Sequence, residues 1–135
     1  MTGLAFHVVG RPAPQGSKRA LGPGRMIEQS KYVKPWRAAV EAAARVEIGA
    51  LGRSWRTLDG PLALSATFRL TRPQKPKSPY PDRAPDLDKI VRATLDAMQT
   101  AGVFVNDSRI VRIKAIKFYA APGQPTGAFI VVKEA

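Results

Sequence analysis

The sequence predicts an α+β fold in the order β-α-β-α-β-β, a mixed sheet with two helices packed on it. Three observations predict it: two segments with helical periodicity, four short apolar segments that read as strands, and neither an internal repeat nor a long linker in 135 residues. A single domain of that length buries roughly two-thirds of the surface its unfolded chain exposes.

The elements follow in order. Leu4 to Val9 reads as the first strand. Arg11 to Ser30 is punctuated by Pro12, Pro14, Gly16, Gly22, Pro23 and Gly24, and is expected to be a mobile basic loop without sustained regular structure. Gly16-Ser17-Lys18 within it is not a phosphate-binding P-loop, because the Walker spacing is wrong. Pro35 to Ile48 is predicted helical: Pro35 suits the first helical position, five alanines raise propensity, and Gly49 closes it. Leu62, Leu64, Ala66, Phe68 and Leu70 alternate as in a half-buried strand. Thr71 to Pro85 is a second proline-rich loop. A second helix runs from about Asp86 to Thr100, with Leu87, Ile90, Val91, Leu95 and Met98 on one face and Gly102 as its stop. Ile110 to Tyr119 and Ala128 to Val132 are two more strands, able to pair as a hairpin through the Pro122–Gly127 turn, and the first two strands are free to run parallel.

Charge narrows the function. With 13 Arg and 9 Lys against ten acids the net charge is +12, which makes a polyanion the first-choice partner. Cysteine is absent, which excludes disulfides, thiol catalysis and Cys-ligated zinc and fits a reducing cytoplasm. No apolar run approaches the ~20 residues of a membrane span, and Met1-Thr2-Gly3 lacks a secretory start, so no membrane role is expected.

Half of the ten acids lie between Asp82 and Asp107, inside a basic chain where they weaken any grip on nucleic acid unless they have another task. Asp86 and Asp88 fall at the start of the second helix, where capping alone explains one acid but not two. Asp107 has enough chain behind it to return to that helix start through Val103-Phe104-Val105, and it could equally serve a partner subunit. Three carboxylates without His or Cys form a hard-oxygen set suited to Mg²⁺ or Mn²⁺, and such an ion activates water and offsets charge in phosphodiester hydrolysis. His7 is expected to be a packed or edge histidine. Arg92, one turn beyond Asp88, is placed to stabilise the developing anion, against the plainer reading of an i,i+4 ion pair with Asp88 or Asp96. Asp96 reads as structural. Candidate DNA contacts are Lys18, Arg19 and Arg25 in the first loop, Lys75, Lys77 and Arg83 in the second, Lys89 on the helix, and Arg112 and Lys114, with Lys117, on a strand. Tyr80, Trp36 and Trp55 are candidate stacking residues, with core or surface packing as the alternative.

The stretch Asp86-Leu87-Asp88, Arg92-Ala93, Leu95-Asp96-Ala97-Met98, Ala101-Gly102-Val103 and Asn106-Asp107-Ser108-Arg109-Ile110-Val111 resembles the RusA family of Holliday junction resolvases. Pro14-Gln15-Gly16-Ser17-Lys18 looks like the N-terminal loop of phage-borne members. The resemblance implies one RusA-like domain over residues 1–135, with Asp86, Asp88 and Asp107 binding the catalytic metal and Arg92 assisting. It also implies a homodimer that nicks two opposed strands of four-way or branched DNA. Two departures stand out. Arg92 replaces the frequent Lys and cannot donate a proton at ordinary pH, and Asn106 replaces a frequent Asp. A metal-dependent endodeoxyribonuclease is therefore expected. The competing class is a non-catalytic DNA-structure binder whose Asp86 and Asp88 only cap a helix, and a third reading is a ribonuclease or general nuclease.

Overall fold

The computed structural model describes residues 3–16, 18–22, 25–28 and 31–135, with side chains described for 3–16 and 31–135. Its elements are β1 (Gly3–Val9), β2 (Lys18–Gly22), β3 (Arg25–Glu28), α1 (Val33–Leu51), β4 (Leu62–Leu70), α2 (Leu87–Thr100), β5 (Ile110–Tyr119) and β6 (Gly127–Glu134). The α+β class stands: two helices pack on a four-stranded mixed sheet ordered β1-β6-β4-β5.

The first basic loop is corrected. Within Arg11–Ser30, β2 and β3 pair as an antiparallel ribbon. Proline and most glycine fall outside the two paired segments in sequence, so each keeps the N–H groups a ladder needs. The side chains of Lys18, Arg19 and Arg25, and Ser17 altogether, lie outside the described residues.

The expected closing hairpin is also corrected. β6 lies between β1 and β4, antiparallel to both, and β5 pairs parallel with β4. β1 and β4 therefore run in the same direction without touching. The reason lies in side-chain character. Ala128, Ile130 and Val132 of β6 are buried completely, which suits a central strand, whereas β5 carries Arg112, Lys114 and Lys117, which suit an edge. A parallel pair needs a long crossover, and α2 supplies it.

α1 extends two residues before and three beyond its predicted bounds. Gly49 stays helical, and the stop is Gly52: its N–H still donates to the Ile48 and Gly49 carbonyls, and its φ of 58°, open to glycine at little cost, turns the chain out of the helix. The core fills the space between the helices and one sheet face. Trp36 is fully buried, edge-on to Phe68 with ring centres 6.3 Å apart, and its indole N–H donates to Thr94 Oγ1 at 3.1 Å. Thr94 in turn donates to the Ile90 carbonyl at 2.9 Å, so the one buried polar side chain described in this core is satisfied. Trp36 is thus a core residue and not a stacking platform for DNA. His7 projects from edge strand β1 and lies against Phe129, ring centres 4.5 Å apart, as an edge histidine should.

Candidate active site

α2 begins where the second proline-rich loop is tied down. Lys117 Nζ donates to the carbonyl oxygens of Arg83 at 2.8 Å and Pro85 at 2.9 Å, which seats the chain just before Asp86. Lys117 therefore serves the fold rather than a phosphate. The peptide between Ala84 and Pro85 is cis.

Asp86 occupies the N-cap position with extended backbone (φ −67°, ψ 132°), yet its carboxylate makes no capping hydrogen bond. It turns outward instead to Lys89, 3.3 Å away, in an exposed i,i+3 pair. Lys89, a candidate DNA contact, is thus engaged with Asp86. Such an exposed pair is worth at most about 1 kcal/mol, so Asp86 is readily released to a stronger partner. Asp88, in the first turn, is exposed and has no ion pair among the described residues. Both acids sit at the end of the helix where the dipole favours negative charge.

A second segment, whose position no local spacing in the sequence fixes, docks on the same helix. The Gln15 N–H donates to the Lys89 carbonyl at 3.0 Å, and the Gln15 side-chain amide donates to Asp96 Oδ2. Asp96 is therefore structural, as expected, because it anchors this loop. Gly16, at φ 91°, lies under Arg92: a Cβ there would sit 2.8 Å from Arg92 Nη1. Arg92 forms neither anticipated ion pair among the described residues, and its exposed guanidinium lies across the loop on the Asp88 side of α2.

Asp107 is elsewhere. Val103 to Val105 does not run back along α2 but crosses to Leu58, whose N–H donates to the Val103 carbonyl at 2.9 Å and whose carbonyl accepts from Val105 at 3.0 Å. The Asp107 N–H then donates to Gln99 Oε1 at 2.8 Å, at the last turn of α2. The 14-residue helix spans about 20 Å. A second ruler agrees: β5 starts beside Asp107 and reaches Pro85 at Lys117, ~23 Å along at ~3.3 Å per residue. Within one chain the return of Asp107 to Asp86 and Asp88 does not occur, and the described residues hold no group of three metal-ligating side chains.

The turn carrying Asp107 is well built. Asn106 caps it, its Oδ1 accepting the Ser108 N–H at 2.8 Å, so the Asn found where the family often has Asp keeps the cap. Arg109 Nε donates to Asp59 Oδ1 at 2.6 Å, and this hydrogen bond, followed by that from the Gly60 N–H, holds the Asp59 carboxyl below its ordinary range.

Beside Asp86 opens a cleft of about 690 Å³ between the Arg11–Pro14 loop, the second proline-rich loop and the ends of β4 and β5. Lys75, Lys77 and Arg83 line it, as does Arg11, which was not singled out from sequence because nothing local marks it. Arg112 and Lys114 lie in register with Ala63 and Ser65, on the opposite sheet face. Tyr80 is exposed against Phe118, and Trp55 is half-buried against the core.

No helix of the described residues is long and apolar enough to cross a membrane. No curated protein matches the sequence. The family model for endodeoxyribonuclease RusA matches residues 8–128, a span that takes in the Gln15 loop, Asp86, Asp88, Asp107 and every described strand, at least in part. The chain therefore belongs to the RusA family of endodeoxyribonucleases, the Holliday junction resolvases.

Proposed function

We propose that this chain works as a homodimeric, Mg²⁺-dependent endonuclease, with Mn²⁺ as the alternative ion, that resolves four-way and related branched DNA by paired nicks. The setting is recombination, repair or phage DNA processing in a bacterial cytoplasm. One observation carries the reading: two exposed carboxylates at the start of α2, Asp86 held only by an exposed pair with Lys89 and Asp88 in no ion pair among the described residues, directly follow Pro85 in the wall of a basic cleft, while the third acid of the motif stands at the far end of β5.

The donor set fits a hard dication in type, since Asp86 and Asp88 offer only carboxylate oxygen, but not in number among the described residues of one chain. A second copy supplies what is missing. β5 is a sheet edge ten residues long, with Val111, Ile113, Ile116 and Phe118 exposed along it. Such an edge is a template for another strand. If two copies pair their β5 strands antiparallel about a two-fold axis, the start of one strand meets the end of the other. Asp107 then comes beside Asp86 and Asp88 of the opposite copy, twice. When bound, the metal would polarise the phosphate and lower the pKa of a water. Arg92 stabilises charge on the phosphoryl oxygens, and being always protonated it takes no part in proton transfer.

The test uses mixed dimers. Asp88→Asn and Asp107→Asn proteins each fail to nick a labelled four-way junction, and binding is kept or tightened because repulsion from phosphate falls. Co-refolded one-to-one, the heterodimer has one site with both acids intact and one with neither, so singly nicked junction appears. Sites assembled within a chain would leave the mixture inactive. Full activity of Asp88→Asn alone would refute the metal assignment.

A further inference from the structure

We infer that the cleft beside Asp86 receives an unpaired nucleotide of the branched substrate, with Tyr119 as its stacking wall. The inference deepens the nuclease reading and rests on DNA being the substrate. The volume, about 690 Å³, lies in the range of sites that enclose one small ligand, and is far too small for duplex. Its walls are apolar and rigid: Leu70, Pro73, Pro76 and Pro81, with Tyr119 half-buried at the end of β5. Its lining is cationic, with Arg11, Lys75, Lys77 and Arg83 against one acid, Asp82, among the described residues. An apolar slot with an aromatic wall and a positive lining matches one base with its phosphates, because every base has a stacking face.

The two tyrosines of the cleft differ. Tyr32 already carries the Arg11 guanidinium 3.7 Å above its ring centre, so that ring holds a cation. Tyr119, in register with Leu70, has no such occupant among the described contacts and is left for the base. Pro85 lines the cleft and Asp86 follows it directly, so a base seated here puts its flanking phosphodiester against the acids of α2. Bases at the exchange point of a four-way junction unpair at least cost, which makes the cleft selective for branched over linear duplex.

The probe is a four-way junction carrying 5-iododeoxyuridine at one position at a time, bound to the wild-type protein without divalent metal and irradiated. A cross-link mapping to the Tyr119 peptide, from one or two positions at the exchange point and from no position in the arms, is expected. The cross-link should persist in Tyr119→Phe and vanish in Tyr119→Leu, with junction affinity lowered about 10-fold and linear-duplex affinity unchanged. Cross-links spread evenly over the arms, or none at Tyr119, overturn the inference. Because the cross-link needs no cleavage, a parallel Mg²⁺ assay separates the two readings. Nicking without the cross-link removes the cleft assignment alone, and the cross-link without nicking removes the nuclease reading while keeping the cleft.

Discussion

Single residues set the turn that presents Asp107. Asn106 → Ala removes the side-chain acceptor for the Ser108 N–H and should cost about 1 kcal/mol, read as a lower denaturant midpoint with unchanged slope. Asn106→Asp keeps an acceptor in place and should stay near wild type. Across the same turn, Arg109 lowers the Asp59 carboxyl. A native value below the unfolded one of about 3.9 means that the pair contributes stability at neutral pH, lost as pH falls through the lowered native value. Asp59→Asn should therefore differ from wild type in thermal midpoint by a constant, small amount above about pH 5, with the gap closing as pH drops below about 4. A gap that widened on acidification would mean that the hydrogen bond to Arg109 is not what the midpoint reports.

At the level of elements, the dimer model commits β5 to a partner, and the chain's lack of cysteine makes this easy to probe. Cysteine introduced singly at Ile113, Lys114, Ala115 and Ile116 should give one variant, that nearest the two-fold axis, which oxidises to a covalent dimer, because only there do paired Cα atoms approach within about 4.4–6.8 Å. Ile113→Lys should weaken dimerisation in sedimentation and nicking together. Strand and helix positions were largely legible in the sequence because their signals are local: Leu62 to Leu70 alternates, and α2 has an apolar face and a glycine stop. Pairing was not. Two strands joined by a short turn favour a hairpin locally, and whether β6 instead inserts beside β4 depends on how its Ala128, Ile130 and Val132 compete with the strands of the rest of the chain for the sheet centre. The β2–β3 ribbon is not legible because its two segments are only five and four residues long and lie among prolines and glycines that mark a loop. In the site, Asp86, Asp88 and Arg92 share one helix and could be read together. The position of Asp107 was decided by non-local bonds to Leu58 and Gln99 that no spacing rule contains.

For the whole molecule, the question is which face the DNA occupies. The net charge of +12 attracts nucleic acid to the entire surface, so affinity alone does not locate the docking face. Salt dependence does. The cleft groups Lys75 and Lys77 lie on the side of the acids, whereas Arg112 and Lys114 lie on the opposite sheet face. Each phosphate contact adds roughly 0.9 to the slope of log K against log salt. If DNA enters by the cleft, replacing both Lys75 and Lys77 with Ala removes four contacts per dimer and should flatten the slope for junction binding by about 3–4. Replacing Arg112 and Lys114 should lower affinity modestly at low salt through the loss of general field, with much less change in slope. The opposite ranking would place the junction on the open sheet face, with Asp86 and Asp88 turned away from the strand they are meant to cut. A metal site cannot act on a phosphate it does not meet, so that ranking would count against the catalytic roles of both aspartates as well as against the docking face.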